Sequence, residues 1–205
     1  MLTIVDYDAG NLRSVQRACA AVGLASEFTQ DPARVASAEK IIFPGVGHAR
    51  TAMDTLVRTG LREAMLEAFA RGTPILGICV GAQLVLDGSD EGPTPGLGLV
   101  RGRTRRFDLD DPALKIPHMG WNEVNAVRPH PLLAGLAPGD ALYFVHSYYP
   151  DPAERANVYA TSDYGAPFCC ALGRDNLFAT QFHPEKSGPV GLALLERFAR
   201  WNGSC

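Results

Sequence analysis

Short apolar runs separated by amphipathic stretches fill the first 80 residues. Strands are predicted at residues 2–5, 25–29, 40–43 and 74–78; all but 25–29 are rich in Ile, Val, Leu and Phe. Between the first two, Leu12, Val15, Cys19 and Val22 recur at steps of three and four, which predicts a helix over residues 12–22. Residues 49–71 predict a second helical stretch, broken near Gly60. This rhythm predicts an α/β fold, a three-layer sandwich with a mostly parallel central sheet.

The pattern changes after Leu86. Residues 87–98 are rich in Gly, Pro, Ser and acidic side chains, and short β-like segments follow at 97–107, 121–127, 141–146, 157–162, 168–172 and 177–182. An amphipathic helix is predicted over residues 189–201. These segments predict a small antiparallel addition to the sheet. No repeat or linker interrupts the chain, so we expect one domain spanning residues 1–205.

Composition narrows the function classes. The 205 residues carry a net charge of −3, which gives no general attraction for nucleic acid or acidic membranes. Four arginines, Arg101, Arg103, Arg105 and Arg106, are expected to form a solvated strand face, with a protein interface as the alternative. No leader or long apolar span is recognisable, so we expect a cytoplasmic protein. The five cysteines have no Cys-x-x-Cys pair, which predicts reduced thiols, no metal site and no disulfide framework.

The fourth apolar run ends in Gly77-Ile78-Cys79-Val80-Gly81. A cysteine between a strand and a helix, with glycines on both sides, is the pattern of a nucleophile elbow. The nearby helix N-terminus would favour the reactive thiolate. The alternative is a buried structural cysteine. We predict that Cys79 is a catalytic nucleophile.

A thiol nucleophile needs a base, and the base needs an orienting group. His183-Pro184-Glu185 follows a predicted strand and offers both. Pro184 restricts His183 to extended geometry, which would place Glu185 on the same face. We therefore predict His183 as the base and Glu185 as the orienting acid. The other four histidines, His48, His118, His130 and His146, are expected to have non-catalytic roles.

Attack on a carbonyl also requires backbone N–H groups that stabilise an oxyanion. The N–H of Val80, directly after the nucleophile, is one candidate. The strand end Gly45-Val46-Gly47 could bring a second from Val46 or Gly47, because glycine permits close backbone approach. The alternative interpretation of this segment is a tight turn.

Residues 77–83, Pro44-Gly45-Val46-Gly47 and His183-Pro184-Glu185 together resemble a class I, triad-type glutamine amidotransferase over nearly the whole chain. Residues 5–14, 116–122 and 183–187 further resemble the glutaminase subunits of imidazole glycerol phosphate synthase. The resemblance implies a flavodoxin-like glutaminase fold and hydrolysis of L-glutamine to glutamate and ammonia through a cysteinyl thioester, without a cofactor. It also implies a heterodimer with a separate (β/α)8-barrel cyclase, which uses the ammonia in histidine biosynthesis.

Carried over residue by residue, the resemblance implies a glutamine-binding set and a partner interface. The binding set comprises Gly47, Gln83, Glu91, His146, Ser147 and Tyr148. The interface set comprises Asn11, Trp121, Asn122 and Lys186. Gln83 lies one helical turn beyond Cys79, on the nucleophile's side of the helix. The alternative interpretation of Gln83 is an ordinary helical glutamine without a binding role. The alternative interpretation of Trp121 is an aromatic side chain of the core rather than of the interface.

The chain departs from the family pattern at three positions. Asp8 stands where the family usually has glycine, and Val80 and Ala82 replace the commoner leucine and methionine. Other functions compatible with the motifs are the glutaminase subunit of another amidotransferase, a cysteine hydrolase or peptidase on a related scaffold, and an interaction subunit with an inactivated site.

Overall fold

A computed structural model describes residues 1–204; Cys205 lies outside the described residues. The strands are β1 (Leu2–Val5), β2 (Ser26–Thr29), β3 (Lys40–Gly45), β4 (Ile75–Cys79), β5 (Leu86–Ser89), β6 (Thr94–Pro95), β7 (Val100–Arg106), β8 (His118–Glu123), β9 (Asn125–Ala126), β10 (Ala141–His146), β11 (Tyr148–Pro152), β12 (Val158–Asp163), β13 (Pro167–Arg174) and β14 (Leu177–Thr180). The α-helices are α1 (Leu12–Ala21), α2 (Pro32–Ala36), α3 (Ala49–Thr59), α4 (Leu61–Ala70), α5 (Val80–Leu84) and α6 (Gly188–Arg200), and 3₁₀ turns cover Pro131–Leu133, Arg155–Asn157 and Pro184–Lys186.

The predicted α/β sandwich is confirmed. The main sheet has the order β2-β1-β3-β4-β14-β13-β12-β9, and its first five strands run parallel. Strand β4 lies between β3 and β14, with Gly45 opposite Cys79 and Thr180 opposite Ile78. The carboxyl ends of these three strands therefore meet at one edge, where open α/β sheets form their sites.

The helices cover this sheet in two groups. Helix α1 packs against α6, while α4 packs against α2 and α3. The predicted break in the second helical stretch is confirmed at Gly60, whose φ of 76° separates α3 from α4. Lys40 ties the sheet to α6, because its Nζ donates to the carbonyl oxygens of Phe198, Ala199 and Trp201, each at 2.7 Å.

The antiparallel part is more extensive than the sequence pattern suggested. Strands β13, β12 and β9 continue the main sheet, and β8 and β10 form a two-stranded ribbon. Strands β11-β7-β5-β6 form a separate sheet, which is antiparallel except for the parallel pair β5 and β7. Helix α5 ends at Leu84, because residues 86–89 form β5 and pair with β7. Strand β11 contains Pro150 and Pro152, which argue against a central strand but suit its edge position.

The four arginines of β7 are exposed, as predicted for a solvated strand face. Arg103 and Arg105 are exposed and pair with Asp90 and, for Arg105, also with Asp151. Within residues 1–204, the cysteines Cys19, Cys79, Cys169 and Cys170 are free and buried. No helix in this part of the chain has the length and apolarity needed to cross a bilayer. No group of His, Cys, Asp or Glu among these residues could hold a metal ion.

Candidate active site

Cys79 lies on a sharp turn between β4 and α5, as the elbow pattern predicts. Its φ of 55° and ψ of −107° are unusual for a residue with a side chain, and only 4% of its surface is exposed. The flanking glycines are needed for space. A Cβ on Gly81 would lie 1.9 Å from the carbonyl oxygen of Phe43, and one on Gly77 would lie 2.9 Å from Cβ of Ala179. The tight strand-to-helix packing therefore holds Cys79 in its strained conformation.

His183 and Glu185 form a buried pair at the end of β14. Nδ1 of His183 lies 2.7 Å from Oε1 of Glu185, and the two side chains are 1% and 0% exposed. His183 is extended, as expected before proline, but Glu185 lies in a 3₁₀ turn rather than in an extended segment. The contact is therefore made by the turn, which folds the carboxylate back towards the imidazole.

The remaining nitrogen of His183, Nε2, is buried and has no hydrogen-bond partner among residues 1–204. Burial by itself would lower the pKa of His183, but the interactions of the imidazole with the neighbouring Cys79 and Glu185 outweigh burial and raise the pKa. The imidazole is thereby poised to hold a proton beside the sulfur.

Backbone contacts fix the triad loop to the β8–β10 ribbon. The N–H of His183 donates to the carbonyl of Tyr143 at 2.9 Å. The Ser187 hydroxyl donates to the carbonyl of His183 at 2.6 Å and accepts from the N–H of Tyr143 at 2.9 Å. Ser187, which is 1% exposed and was not singled out from sequence, therefore joins the ribbon to the loop that carries His183.

One cavity of about 260 Å³ brings most of the predicted site residues together. Its lining includes every predicted oxyanion and substrate residue together with the sulfur and imidazole, namely Val46, Gly47, Cys79, Val80, Gln83, Glu91, His146, Ser147, Tyr148 and His183. Pro117 and Val145 complete it. Its volume suits a molecule of amino-acid size better than a macromolecular segment.

Gln83 projects from α5 into this cavity, but its amide nitrogen is already engaged. Nε2 of Gln83 donates to the carbonyl of Tyr148 and to Oε1 of Gln181, both at 2.9 Å. Nε2 of Gln181 in turn lies 3.6 Å from Sγ of Cys79. Sequence reasoning missed Gln181. The available signal was strand alternation, since a residue two positions before His183 shares its face of an extended segment.

Glu91 supplies the negative charge of the cavity. Its Oε2 accepts from the N–H of Ala49 at 2.7 Å, at the start of α3, and its Oε1 lies 3.9 Å from Nε2 of His48. His48 is 52% exposed at its side chain and acts as a helix cap, with Nδ1 accepting from Arg50. This anchoring leaves a carboxylate facing a small cavity, where it can pair with a cationic group.

The end of β3 leads to Val46 and Gly47, whose N–H groups are the candidates for the second donor to the oxyanion. The hydroxyl of Tyr7 donates to the carbonyl of Pro44 at 2.8 Å, and a Cβ on Gly45 would lie 2.1 Å from that hydroxyl. Gly47 follows with a φ of 96°, and Val46 is 38% exposed. The strand end is thus held rigidly up to Gly45, beyond which the backbone turns into the cavity.

His146, which lines the cavity, forms a buried pair with His118. Nδ1 of His118 lies 3.0 Å from Nε2 of His146, and Nδ1 of His146 lies 2.8 Å from the carbonyl of Tyr148. Burial lowers the pKa of His118 to about 4 and that of His146 to about 3, so both rings are neutral at pH 7. Neither ring is placed as the base for Cys79. His130 is buried elsewhere, stacked 4.1 Å from Phe178.

Two of the four residues expected at a partner interface lie together. Trp121 is 58% exposed, and its ring centroid lies 6.1 Å from that of Tyr143. Nζ of Lys186 lies 5.8 Å from the centroid of the same Tyr143 ring. Asn122 instead donates to the carbonyl of Asp163 at 2.7 Å and lies 3.3 Å from Nε2 of His118. Met119, which the sequence did not single out, is 61% exposed on the same ribbon.

Asn11 is directed towards the buried pair. Its Nδ2 donates to Oε1 of Glu185 at 2.6 Å. Asp8 has a left-handed backbone, with a φ of 65°, a conformation that glycine adopts most easily. Its N–H donates to Oδ1 of Asp6, and its Oδ1 accepts from Nε2 of Gln30. These hydrogen bonds hold the turn that leads to Asn11.

The chemistry available to this arrangement is covalent attack on a carbonyl. A thiol at a strained turn, a buried imidazole with a carboxylate partner and a cavity with one anchored carboxylate suit a small, positively charged amide or ester. The thiol and the imidazole face the same cavity, so the nucleophile and its proton acceptor can act on one bound molecule.

Comparison with known proteins places this geometry in a family. The family model for class-I glutamine amidotransferase matches residues 3–200. The chain is 49% identical over 203 residues to the imidazole glycerol phosphate synthase subunit HisH of Syntrophotalea carbinolica, covering 97% of this chain and 98% of that protein. It is 48% identical to the HisH subunit of Dechloromonas aromatica, covering 98% and 96%.

Solved structures agree at the level of the fold. A crystal structure of a glutamine amidotransferase superposes with a TM-score of 0.75 at 17% identity, covering 96% of this chain and 98% of that one. The structure of PurLQS from Thermotoga maritima gives 0.72 at 19% identity, covering 97% of each chain. The chain belongs to the class I glutamine amidotransferases and, within them, to the HisH subunits of imidazole glycerol phosphate synthase.

Proposed function

We propose that this chain is the glutaminase subunit of an imidazole glycerol phosphate synthase. It hydrolyses L-glutamine to glutamate and ammonia and supplies the ammonia to a separate cyclase in histidine biosynthesis. The observation that carries the proposal is the convergence of Cys79 and His183 on one small cavity, with Glu185 bonded to His183. Membership of the HisH family supplies the substrate class.

In the first half of the reaction, Sγ of Cys79 forms a bond to the side-chain carbonyl carbon of glutamine. His183 holds the thiol proton and delivers it to the departing nitrogen, so that ammonia leaves as the C–N bond breaks and a thioester remains. Water then attacks the thioester carbon while His183 takes up one of its protons; the C–S bond breaks, His183 passes that proton to the sulfur, and glutamate is released. Glu185 orients the imidazole and stabilises its protonated form.

Substrate placement follows from the cavity lining. The carboxylate of Glu91 is proposed to pair with the α-ammonium group of glutamine, because it is the acidic side chain that lines the cavity. Gln83 and the backbone of His146, Ser147 and Tyr148 hold the remaining polar groups. The N–H of Val80 and an N–H from Val46 or Gly47 receive the oxyanion that forms on the scissile carbonyl.

The partner is proposed to be a (β/α)8-barrel cyclase, forming a heterodimer. Support comes from the exposed side chains of Trp121 and Lys186, which share contacts with Tyr143 beside the triad loop. An exposed tryptophan with a neighbouring cation suits the centre of a protein interface. Asn122 and Asn11 would contribute through the ribbon and the turn after β1.

We further propose that residues 1–205 act as one domain in the cytoplasm. The main sheet combines β1 with β14, from opposite ends of the sequence, which supports a single folding unit. The free thiols Cys19, Cys79, Cys169 and Cys170 suit a reducing compartment.

The proposal is tested by measuring glutamate release from glutamine with the chain and its barrel cyclase combined. Cys79→Ala should abolish release, whereas Cys19→Ala, at a buried cysteine in α1, should retain it. Retained glutamate release in Cys79→Ala would refute the mechanism. A panel of peptide and ester substrates distinguishes the glutaminase from a general cysteine hydrolase, since only the latter would turn them over.

A further inference from the structure

We propose that Gln181 is a further catalytic residue, which holds the sulfur of Cys79 through its amide Nε2 and orients Gln83 through its amide oxygen. Gln181 is fully buried directly after β14, two residues before His183. Its Nε2 lies 3.6 Å from Sγ of Cys79, and its Oε1 accepts from Gln83 at 2.9 Å. One side chain thus contacts both the reacting sulfur and a cavity residue.

The direction of these hydrogen bonds is determined by a backbone carbonyl. The oxygen of Tyr148 can only accept, so the group of Gln83 that faces it at 2.9 Å must be the NH₂. The same NH₂ faces Gln181, which must therefore present its oxygen. The NH₂ of Gln181 is then left to face Cys79. A donor, and not an acceptor, is directed at the sulfur, which favours the thiolate over the thiol.

The neighbouring histidines reinforce this direction. His146 also contacts the carbonyl of Tyr148, so its Nδ1 carries the hydrogen and its Nε2 accepts from Nδ1 of His118. Nε2 of His118 is then an acceptor, and Asn122 faces it with its NH₂ at 3.3 Å. Every member of this hydrogen-bond network, from Asn122 to Cys79, faces a compatible donor or acceptor. A flip of the amide of Gln83 or Gln181 would therefore leave a buried polar group unpaired.

Two consequences follow for catalysis. The N–H of Gln181 gives the thiolate a hydrogen-bond donor in addition to its charge interaction with His183, so the thiolate has two stabilising partners. The Oε1 of Gln83 is left available to the cavity, because the NH₂ of that residue is already shared by Tyr148 and Gln181. Gln181 thereby determines which end of the Gln83 amide meets the substrate.

The test uses alkylation of Cys79 by iodoacetamide in the complete chain at pH 7, which needs neither glutamine nor a cyclase. Gln181→Met removes the donor at similar volume, and Gln181→Glu keeps an acceptor for Gln83 but places a carboxylate near the sulfur. We expect alkylation to be about tenfold slower in Gln181→Met, since hydrogen bonds to charged groups are among the stronger ones, and slower still in Gln181→Glu. Cys79→Ala gives the background from the other thiols.

Gln16→Met is the matched control, because Gln16 donates to the carbonyl of Ser26 on α1's side of the sheet and should alkylate like the original chain. Melting temperatures identify any variant that fails to fold; for such a variant, Gln181→Asn, which keeps the amide but shortens its reach, replaces it. Wild-type alkylation rates in folded Gln181→Met or Gln181→Glu would overturn the inference.

The part of the inference about Gln83 rests on the proposed glutaminase function and is tested separately. With cyclase present, Gln181→Met should lower kcat for glutamine hydrolysis about tenfold and also raise KM. Slowed alkylation with no glutamine turnover in the original chain would reject the proposed function but retain Gln181 as a partner of the sulfur. Unchanged kcat and KM in Gln181→Met would reject the role of Gln181 itself.

Discussion

Asn11 and Glu185, 174 residues apart in sequence, meet at a single oxygen atom. Nδ2 of Asn11 donates to Oε1 of Glu185 at 2.6 Å, and the same oxygen lies 2.7 Å from Nδ1 of His183. The turn after β1 therefore helps to hold the proposed orienting acid. A residue that the family resemblance assigns to the partner interface is also placed to influence the triad from within the chain.

Replacing Asn11 should accordingly affect catalysis through the triad. Asn11→Ala is expected to lower kcat for glutamine about tenfold with little change in KM, because Asn11 lies outside the cavity lining. Asn11→Asp should be more damaging, since it places a second carboxylate against Glu185. Steady-state kinetics with a fixed excess of cyclase would separate this effect from weakened assembly. A pure loss of cyclase affinity, with normal kcat at saturation, would assign Asn11 to the interface alone.

Glu185 should control the protonation of His183. Glu185, through its charge and its hydrogen bond, and the neighbouring Cys79 raise the pKa of His183 against the lowering effect of burial. Glu185→Gln removes the charge, so the pKa of His183 should fall by at least about one unit. The measurement is NMR titration of the histidine ring protons. Glu91→Gln, which changes a carboxylate that lines the cavity but does not contact His183, serves as the control. Equal titration midpoints of His183 in the original chain, Glu185→Gln and Glu91→Gln would contradict the prediction.

Ser187 should matter for both stability and activity. Ser187→Ala leaves the N–H of Tyr143 and the carbonyl of His183 without their hydroxyl partner, which should lower the free energy of unfolding by about 1–2 kcal/mol. Glutamine turnover should also fall, because the loop carrying His183 is then held to the ribbon only by the hydrogen bond from its own N–H to the carbonyl of Tyr143. Urea denaturation and kinetics test both effects. Ser37→Ala removes an exposed hydroxyl that donates to Ala33 and should change unfolding far less.

Lys40 should stabilise the closing helix without affecting the active site. Its ammonium group satisfies three carbonyls at the C-terminal end of α6, where a positive charge is favoured. Lys40→Met should lower the free energy of unfolding by about 2 kcal/mol. Lys115→Met, at an exposed lysine, is the control for loss of charge alone. Equal denaturation midpoints for the two variants would show that the carbonyl contacts contribute nothing.

Mild acid should destabilise the folded chain through its buried histidines. Burial lowers the pKa of His130 and His118 to about 4 and that of His146 to about 3, below the value of about 6.5 expected in the unfolded chain. The unfolded chain therefore binds more protons, and stability falls as the pH drops from about 6.5 towards about 4. Urea denaturation across this range measures the slope. His130→Phe, distant from the cavity, should reduce the slope by up to about 1.4 kcal/mol per pH unit; an unchanged slope would mean that His130 does not titrate on unfolding.

Local sequence patterns were sufficient for most of the parallel half of the fold. Strand-like segments of four or five residues alternating with amphipathic stretches correctly predict β1 to β4, α1, and the pair α3 and α4 with its break at Gly60, but the short helix α2 was not predicted. The second half of the fold was less predictable, because the parallel pairing of β5 with β7 and the antiparallel pairing of β11 with β7 depend on partners distant in sequence. Two prolines in β11 are compatible with a strand only because it lies at an edge.

The identities of the proposed nucleophile, base and acid were accessible from sequence, because elbow and His-Pro-Glu geometry are set by neighbouring residues. Glycines at 77 and 81 and a proline at 184 restrict the backbone within a few positions of each functional side chain. What only the tertiary structure decided was the polar surroundings: Asn11 on Glu185, Ser187 between His183 and Tyr143, and Gln181 between Cys79 and Gln83. These contacts join residues up to 174 positions apart, and no local pattern encodes which buried amide meets which acceptor. That selection is made when the strand ends converge and each buried polar group must find a partner.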